Sequence, residues 1–309
     1  MTDAVIFPGQ GSQSAGMQAA LAAEFDEVRQ CYAQAGDVLG YDLWQLVQDG
    51  PAERLDLTVV TQPAMLTAGV AAWRVYRKAG GRMPAMMAGH SLGEYTALVC
   101  AGALDFPEAV ALVRTRGELM QAAVVEGSGA MAAVLGLDDD KVVDACARAA
   151  QGDVVSAVNF NSPGQVVIAG ARAAVERAVV LVTEAGARRA VMLNVSVPSH
   201  CALMRPAAEK LSDTLKSLQI GVPAVRVVSN VDVQPYADAT AIRDGLARQL
   251  YSPVRWAETV RYLAANGANR LIECGPGKVL TGLVRRIDKS LTVHCIESPE
   301  SLAAALLEA

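Results

Sequence analysis

Three times in this chain a short apolar run ends in a glycine-rich turn and gives way to a helix-like stretch. Ala4-Val5-Ile6-Phe7 breaks at Pro8-Gly9-Gln10-Gly11. Met83 to Ala88 leads into Gly89-His90-Ser91-Leu92-Gly93 and then a helical Glu94 to Ala101. Leu271 to Cys274 leads into Gly275-Pro276-Gly277 and a helix through Arg286, and Val225 to Ser229 is a further strand candidate. Strands that alternate with helices belong in a parallel sheet covered on both faces. Loops at the carboxyl ends of such strands gather around a ligand-binding crevice, so Gln10, Ser91 and Gly275 are expected to converge.

The middle of the chain has a different rhythm. Ala130 to Leu137 predicts a strand, and Asp138-Asp139-Asp140 caps a helix to about Ala150 with acids at its positive end. Val154 to Phe160 and Gln165 to Ala169 predict two strands around the turn Asn161-Ser162-Pro163-Gly164. Ala173 to Ala185 predicts a helix stopped by Gly186, and Arg189 to Ser196 a last strand. The order β-α-β-β-α-β is the split, ferredoxin-like arrangement. The expected architecture is therefore α/β. A discontinuous, parallel-sheet large domain comprises 1–124 and 204–309, with a small ferredoxin-like domain, 125–203, inserted in it.

Composition limits what such a chain does. It has 27 basic and 32 acidic side chains, a formal charge of −5 and a pI near 5.3, which argues against a general nucleic-acid binder. Hydrophobic residues make up 52% but aromatics only 5%, so the core is expected to be mainly Ala, Val, Leu and Met. Met1-Thr2-Asp3-Ala4 has no basic region ahead of an apolar run, and no secretory signal is expected. The uncharged stretches Leu57 to Trp73 and Val154 to Ala171 are broken by polar residues and prolines, unlike a membrane span. The six cysteines form no C-x-x-C pair, so neither a disulfide framework nor a zinc site is expected. A cytoplasmic location fits best.

Gly89-His90-Ser91-Leu92-Gly93 matches G-x-S-x-G, a pattern that lifts a serine hydroxyl above a sheet on a sharp strand-to-helix turn. The alternative is an ordinary Gly-Ser turn. A nucleophilic serine needs a base, and only His90, His200 and His294 are available. His90 adjoins Ser91 on a tight turn and His294 lies in a late strand, so both are read as structural. His200, in Val197-Pro198-Ser199-His200-Cys201, lies where the small domain rejoins the large one. By elimination it is the best base, against a structural histidine. Arg116 lies in a helix-like segment. Taken alone it is a surface or ion-paired arginine, and a carboxylate-binding fork is the other reading.

Five motifs in order resemble one family: Phe7-Pro8-Gly9-Gln10-Gly11-Ser12-Gln13, Gly89-His90-Ser91-Leu92-Gly93-Glu94, the Arg116 segment, Val195-Ser196-Val197-Pro198-Ser199-His200, and Glu273-Cys274-Gly275-Pro276-Gly277. Together they resemble the malonyl-CoA:acyl carrier protein transacylases of bacterial type II fatty acid synthesis, over essentially the whole chain. The resemblance implies a hydrolase-like α/β domain with an inserted ferredoxin-like domain. It implies that Ser91 carries a malonyl ester taken from malonyl-CoA and passes it to the thiol of acyl carrier protein, with His200 as base. It implies an oxyanion hole from the backbone N–H groups of Gln10 and Leu92, and Arg116 as partner of the malonyl carboxylate. It also implies that the carbonyl of Gln249, rather than a carboxylate, faces the His200 ring. No metal or tightly bound cofactor is suggested, and a monomer is expected.

Three alternatives share parts of this pattern: a serine thioesterase or other hydrolase, a non-catalytic carrier-binding subunit, and the malonyltransferase of a malonate decarboxylase. An acidic carrier protein meeting a net-negative chain calls for a local basic patch. Lys278, Arg285, Arg286 and Lys289 are expected on the helix after Gly275-Pro276-Gly277, with Arg285 and Lys289 on one face. Arg188 and Arg189 form a second candidate cluster. A plain solvated helix face is the alternative.

Overall fold

The computed structural model describes residues 3–195 and 197–307. Its nine strands are β1 (Asp3–Phe7), β2 (Met86–Gly89), β3 (Gly129–Leu135), β4 (Val155–Ser162), β5 (Gln165–Ala171), β6 (Arg189–Met192), β7 (Arg226–Val228), β8 (Arg270–Cys274) and β9 (Thr292–Ile296). Five of them form one sheet in the order β7-β2-β1-β8-β9, and every pair is parallel. Alternate residues of β1 feed opposite faces, as the two-residue strand period requires. Val5 and Phe7 join a core that includes the helices Asp26–Leu39, Thr58–Lys78 and Phe106–Ala122. Ala4 and Ile6 join a second core with Trp256, Val260, Leu280 and Val284. Both faces are therefore dry, which is why these strands are continuous apolar runs.

The other four strands form an antiparallel sheet in the order β4-β5-β3-β6. With the helices Asp139–Ala150 and Arg172–Glu184 between them, this is the ferredoxin-like order expected from the sequence. It is tied to the large sheet's side of the molecule by backbone bonds from Phe160 N to Val254 O (3.0 Å) and from Val254 N to Val158 O (2.8 Å).

Several expected boundaries move. β2 begins at Met86, not Met83; Met83 is half exposed and Pro84 has no N–H to give. β6 stops at Met192 because only Arg189 to Met192 pair with β3, and Ser196 lies outside the described residues. Asp138 stands at the N-cap of its helix, but its side chain makes no capping bond, and Asp139 and Asp140 supply the first-turn acids. Among the described residues no helix is long and apolar enough to cross a membrane.

Candidate active site

The carboxyl ends of β1, β2, β7 and β8 run into the loops that carry Gln10, Ser91, Asn230 and Gly275. The turn after β2 is the tightest. Ser91 has φ 52°, a left-handed conformation that a non-glycine residue adopts only under constraint. The constraint comes from its flanks. A Cβ on Gly89 would sit 1.9 Å from the carbonyl carbon of Gly93, and one on Gly93 would sit 2.1 Å from the carbonyl oxygen of Phe7. Only glycines let the helix Gly93–Cys100 start directly above the sheet. Asn230 clamps the turn from outside: its Oδ1 accepts from Ser91 N at 2.7 Å and its Nδ2 donates to Gly89 O at 2.6 Å.

Ser91 Oγ lies 2.8 Å from His200 Nε2, and His200 Nδ1 lies 2.7 Å from the Gln249 carbonyl oxygen. A carbonyl only accepts, so Nδ1 carries the proton and Nε2 is the free base that accepts from the serine hydroxyl. Burial, and then the nearby Arg116 charge, push His200 down to about 3, so the ring is neutral at ordinary pH. His200 itself has φ 65° and is anchored by its N–H on Leu250 O at 2.9 Å. Serine and base thus belong to different stretches of chain, each held in a strained backbone conformation by hydrogen bonds.

Arg116 is not on the surface; it is 2% exposed. Its Nη1 donates to Gln62 Oε1 at 2.8 Å, and its Nη2 to Gln249 Oε1 at 2.9 Å and Ser91 Oγ at 3.4 Å. Its Cζ lies 5.3 Å from the Tyr95 ring centroid. Among the described residues no carboxylate forms an ion pair with it, and its buried Nε has no hydrogen-bond partner. Ser91, His200, Arg116 and Gln62 line one cleft of about 670 Å³ including its open mouth. Gln10 and Leu92 lie at the serine, and Met131, Val167, Leu193, Val195 and Val197 form an apolar wall from the small-domain side. The arrangement can deprotonate a serine hydroxyl and hold an anion beside it.

Among the described residues neither of the other histidines bonds the serine, although His90 lines the same cleft. His90 Nε2 is 2.8 Å from Asn161 Oδ1, and its ring packs 5.6 Å from Trp256, behind the turn. His294 lies within β9. The basic residues do not form the expected helical patch. The helix runs Val279–Ile287, so Lys278 is its N-cap and Lys289 lies past its end, off any shared face with Arg285. Asp288, in extended backbone and bonded to Ser290, ends it there. Lys278 Nζ is engaged by Glu297 at 2.6 Å and Arg286 reaches Gln165 at 2.7 Å. Arg188 and Arg189 are exposed, with Arg189 opening the edge strand β6. Sequence reasoning missed Gln62, Glu94, Asn230 and the side chain of Gln249. Gln62 and Glu94 carry one signal, a polar residue in a largely apolar segment; Asn230 and Gln249 sit among other polar residues and carry none.

Comparison with known proteins places this arrangement. The acyl transferase domain family matches residues 5–302. A malonyl CoA-acyl carrier protein transacylase of Salmonella typhimurium is 58% identical over 99% of both chains. The crystal structure of an acyl carrier protein S-malonyltransferase from Vibrio cholerae is 58% identical with a TM-score of 0.96, covering 98% of this chain and 99% of its own. A malonyl-transacylase solved in complex with a type II polyketide synthase acyl-carrier protein is 56% identical, with a TM-score of 0.99 over the whole of both chains. With a buried, carboxylate-free arginine beside a serine–histidine pair, and with relatives this similar over their whole length, the chain belongs to the acyl transferase family, among the malonyl CoA-acyl carrier protein transacylases.

Proposed function

We propose that this chain moves a malonyl group from malonyl-CoA to the phosphopantetheine thiol of acyl carrier protein, supplying the malonyl carrier for fatty acid synthesis. Ser91 Oγ attacks the thioester carbonyl carbon while its proton passes to His200 Nε2. The tetrahedral oxyanion faces the backbone N–H groups of Leu92, at the start of a helix, and Gln10. The C–S bond breaks, and the proton on His200 goes to the departing coenzyme A sulfur. In the second half the carrier thiol gives its proton to His200 and attacks the ester, and Ser91 takes the proton back. Gln249 O holds His200 in the tautomer this needs. The observation that carries the reading is Arg116: a buried guanidinium with no carboxylate of its own, 3.4 Å from Ser91 Oγ. A planar fork there matches the free carboxylate of a malonyl group and leaves its charge unmatched by an acetyl group.

We propose further that 125–203 is a domain inserted in 1–124 and 204–309, supported by the separate antiparallel sheet of β3–β6. The docking side is proposed to include Arg285, Arg286 and Arg189, with Lys278 diminished by its pairing to Glu297. The protein is proposed to act as a cytoplasmic monomer on soluble partners, with no tightly bound cofactor and no membrane or nucleic-acid partner. Intact-protein mass spectrometry after malonyl-CoA addition tests the reading. A malonyl adduct on Ser91 should persist in buffer and disappear when acyl carrier protein is added. Rapid release of free malonate without an acceptor would instead mark a hydrolase, and an adduct on another residue would overturn the assignment.

A further inference from the structure

Glu94 is the group that the transfer chemistry leaves without a role. It opens the helix Gly93–Cys100, three residues after the nucleophile, and is fully buried. Every polar neighbour aims a donor at it. Gln249 Nε2 donates to Oε2 at 2.6 Å, the Tyr236 hydroxyl donates to Oε1, and the Asn230 N–H is shared by both oxygens at 3.4 Å. It makes no ion pair among the described residues. Two of these partners, Gln249 through its side chain and Asn230 through its backbone, lead back to the chemistry. Gln249 touches four parts of the site at once: its Oε1 takes Arg116, its Nε2 also donates to Ser91 O at 3.0 Å, and its own carbonyl takes His200. Asn230 holds both sides of the serine turn.

A carboxamide side chain can sit either way round. Turned over, Gln249 would present its NH₂ to Arg116, donor against donor, and the guanidinium would lose its place beside Ser91. We propose that Glu94 is a positioning residue that fixes the Gln249 amide, so that one side chain aims Arg116 at the acyl carboxylate while its backbone aims His200 at the serine. This rests on the reading of Arg116 as the malonyl partner. An acceptor oxygen on Gln249 Nε2 is what the role requires, not the charge. Burial raises the Glu94 carboxyl to about 7, and a proton held on the Tyr236 side leaves Oε2 accepting from Gln249.

The test is the ratio of Ser91 loading from malonyl-CoA to loading from acetyl-CoA, measured as kcat/KM for each donor. Glu94→Leu removes the acceptor and should lower the malonyl preference about tenfold, in line with a hydrogen bond to a charged group. Glu94→Gln can turn its nitrogen to Tyr236 and keep its oxygen on Gln249, and should restore the ratio to within about twofold of the parent. A merely structural residue would lower both donors together and leave the ratio alone. Glu94→Asp, which withdraws the carboxylate by one methylene, should shift the ratio in the same direction and decides the matter if the leucine variant does not fold. An unchanged ratio in the leucine or aspartate variant overturns the inference. Arg116→Ala run beside them tells whether the reading of the site falls too: if it alone abolishes the preference, the site stands and only the role of Glu94 is lost.

Discussion

Among the described residues two arginines are buried, and they are partnered in opposite ways. Arg270, at the start of β8, grips Asp3 of β1 with two parallel bonds of 2.8 and 2.5 Å at the amino-terminal end of the sheet. Arg116, at the carboxyl-terminal end, is held by the neutral oxygens of Gln62 and Gln249. The first charge is answered within the fold. The second has no direct ion pair among the described residues; Tyr95 and Glu94 favour its charge from nearby, but burial outweighs them and pushes the guanidinium below its usual pKa. An unanswered buried charge is unfavourable unless something else answers it, so the difference separates a structural arginine from one kept for a ligand.

The sharpest way to break this comparison is on the structural side. Asp3→Asn leaves Arg270 facing a neutral group and should lower the unfolding free energy by about 3–5 kcal/mol, while loading of Ser91 per folded molecule stays unchanged. Denaturant melts paired with loading assays would show it. Arg116→Ala should do the reverse. Malonyl transfer should fall about a hundredfold, or about 2.7 kcal/mol, with acetyl transfer much less affected and a smaller loss of stability than Asp3→Asn gives. Arg116→Lys keeps the charge but not the fork, and malonyl transfer should fall about tenfold. Equal losses for both donors would remove the reason for assigning selectivity to Arg116.

The pH dependence is a finer test. His200 is neutral in the fold down to about 3, whereas an ordinary imidazole would be mostly protonated by pH 5. Single-turnover loading should therefore stay within about threefold between pH 8 and pH 5, where an unshifted base would lose about thirtyfold. The stability sign is opposite to that of an ion-paired histidine. Between about 6.5 and 3 the unfolded chain binds the proton and the folded one does not, so this group's contribution is present above 6.5 and lost as pH falls. The smallest effect concerns docking. Replacing Arg285 and Arg286 with Glu should raise the KM for acyl carrier protein about threefold at low salt, less at high salt, and leave loading from malonyl-CoA unaltered. No change at low ionic strength would exclude this patch.

The contrast also marks what could be read from the chain. Ser91 and the sheet around it were legible because they depend on local chemistry, namely an apolar strand, two glycines and a helix start within a dozen residues. The ferredoxin-like order was legible for the same reason, its turns and caps being short-range. His200 came by elimination from three histidines. Arg116 read as a surface residue because its environment is assembled from afar: Gln62 and Gln249 come from helices 54 and 133 residues away in sequence. Asn230 and Glu94 were invisible on the same grounds. Each is one polar residue whose partner lies more than a hundred positions distant, at the far end of another element. The placement of Lys289 on the helix with Arg285 failed where local rules were stretched: Asp288 ends the helix before Lys289, so spacing by four no longer means a shared face.

If Arg116 reserves its charge for the acyl group on Ser91, the choice of donor should depend on it. Equal concentrations of malonyl-CoA and acetyl-CoA offered together to the parent and to Arg116→Ala, with the adduct on Ser91 resolved by intact mass and peptide mapping, put it to the test directly. The parent should carry almost only malonyl-Ser91, and the variant a mixture dominated by acetyl-Ser91. The same malonyl excess in both proteins would contradict it.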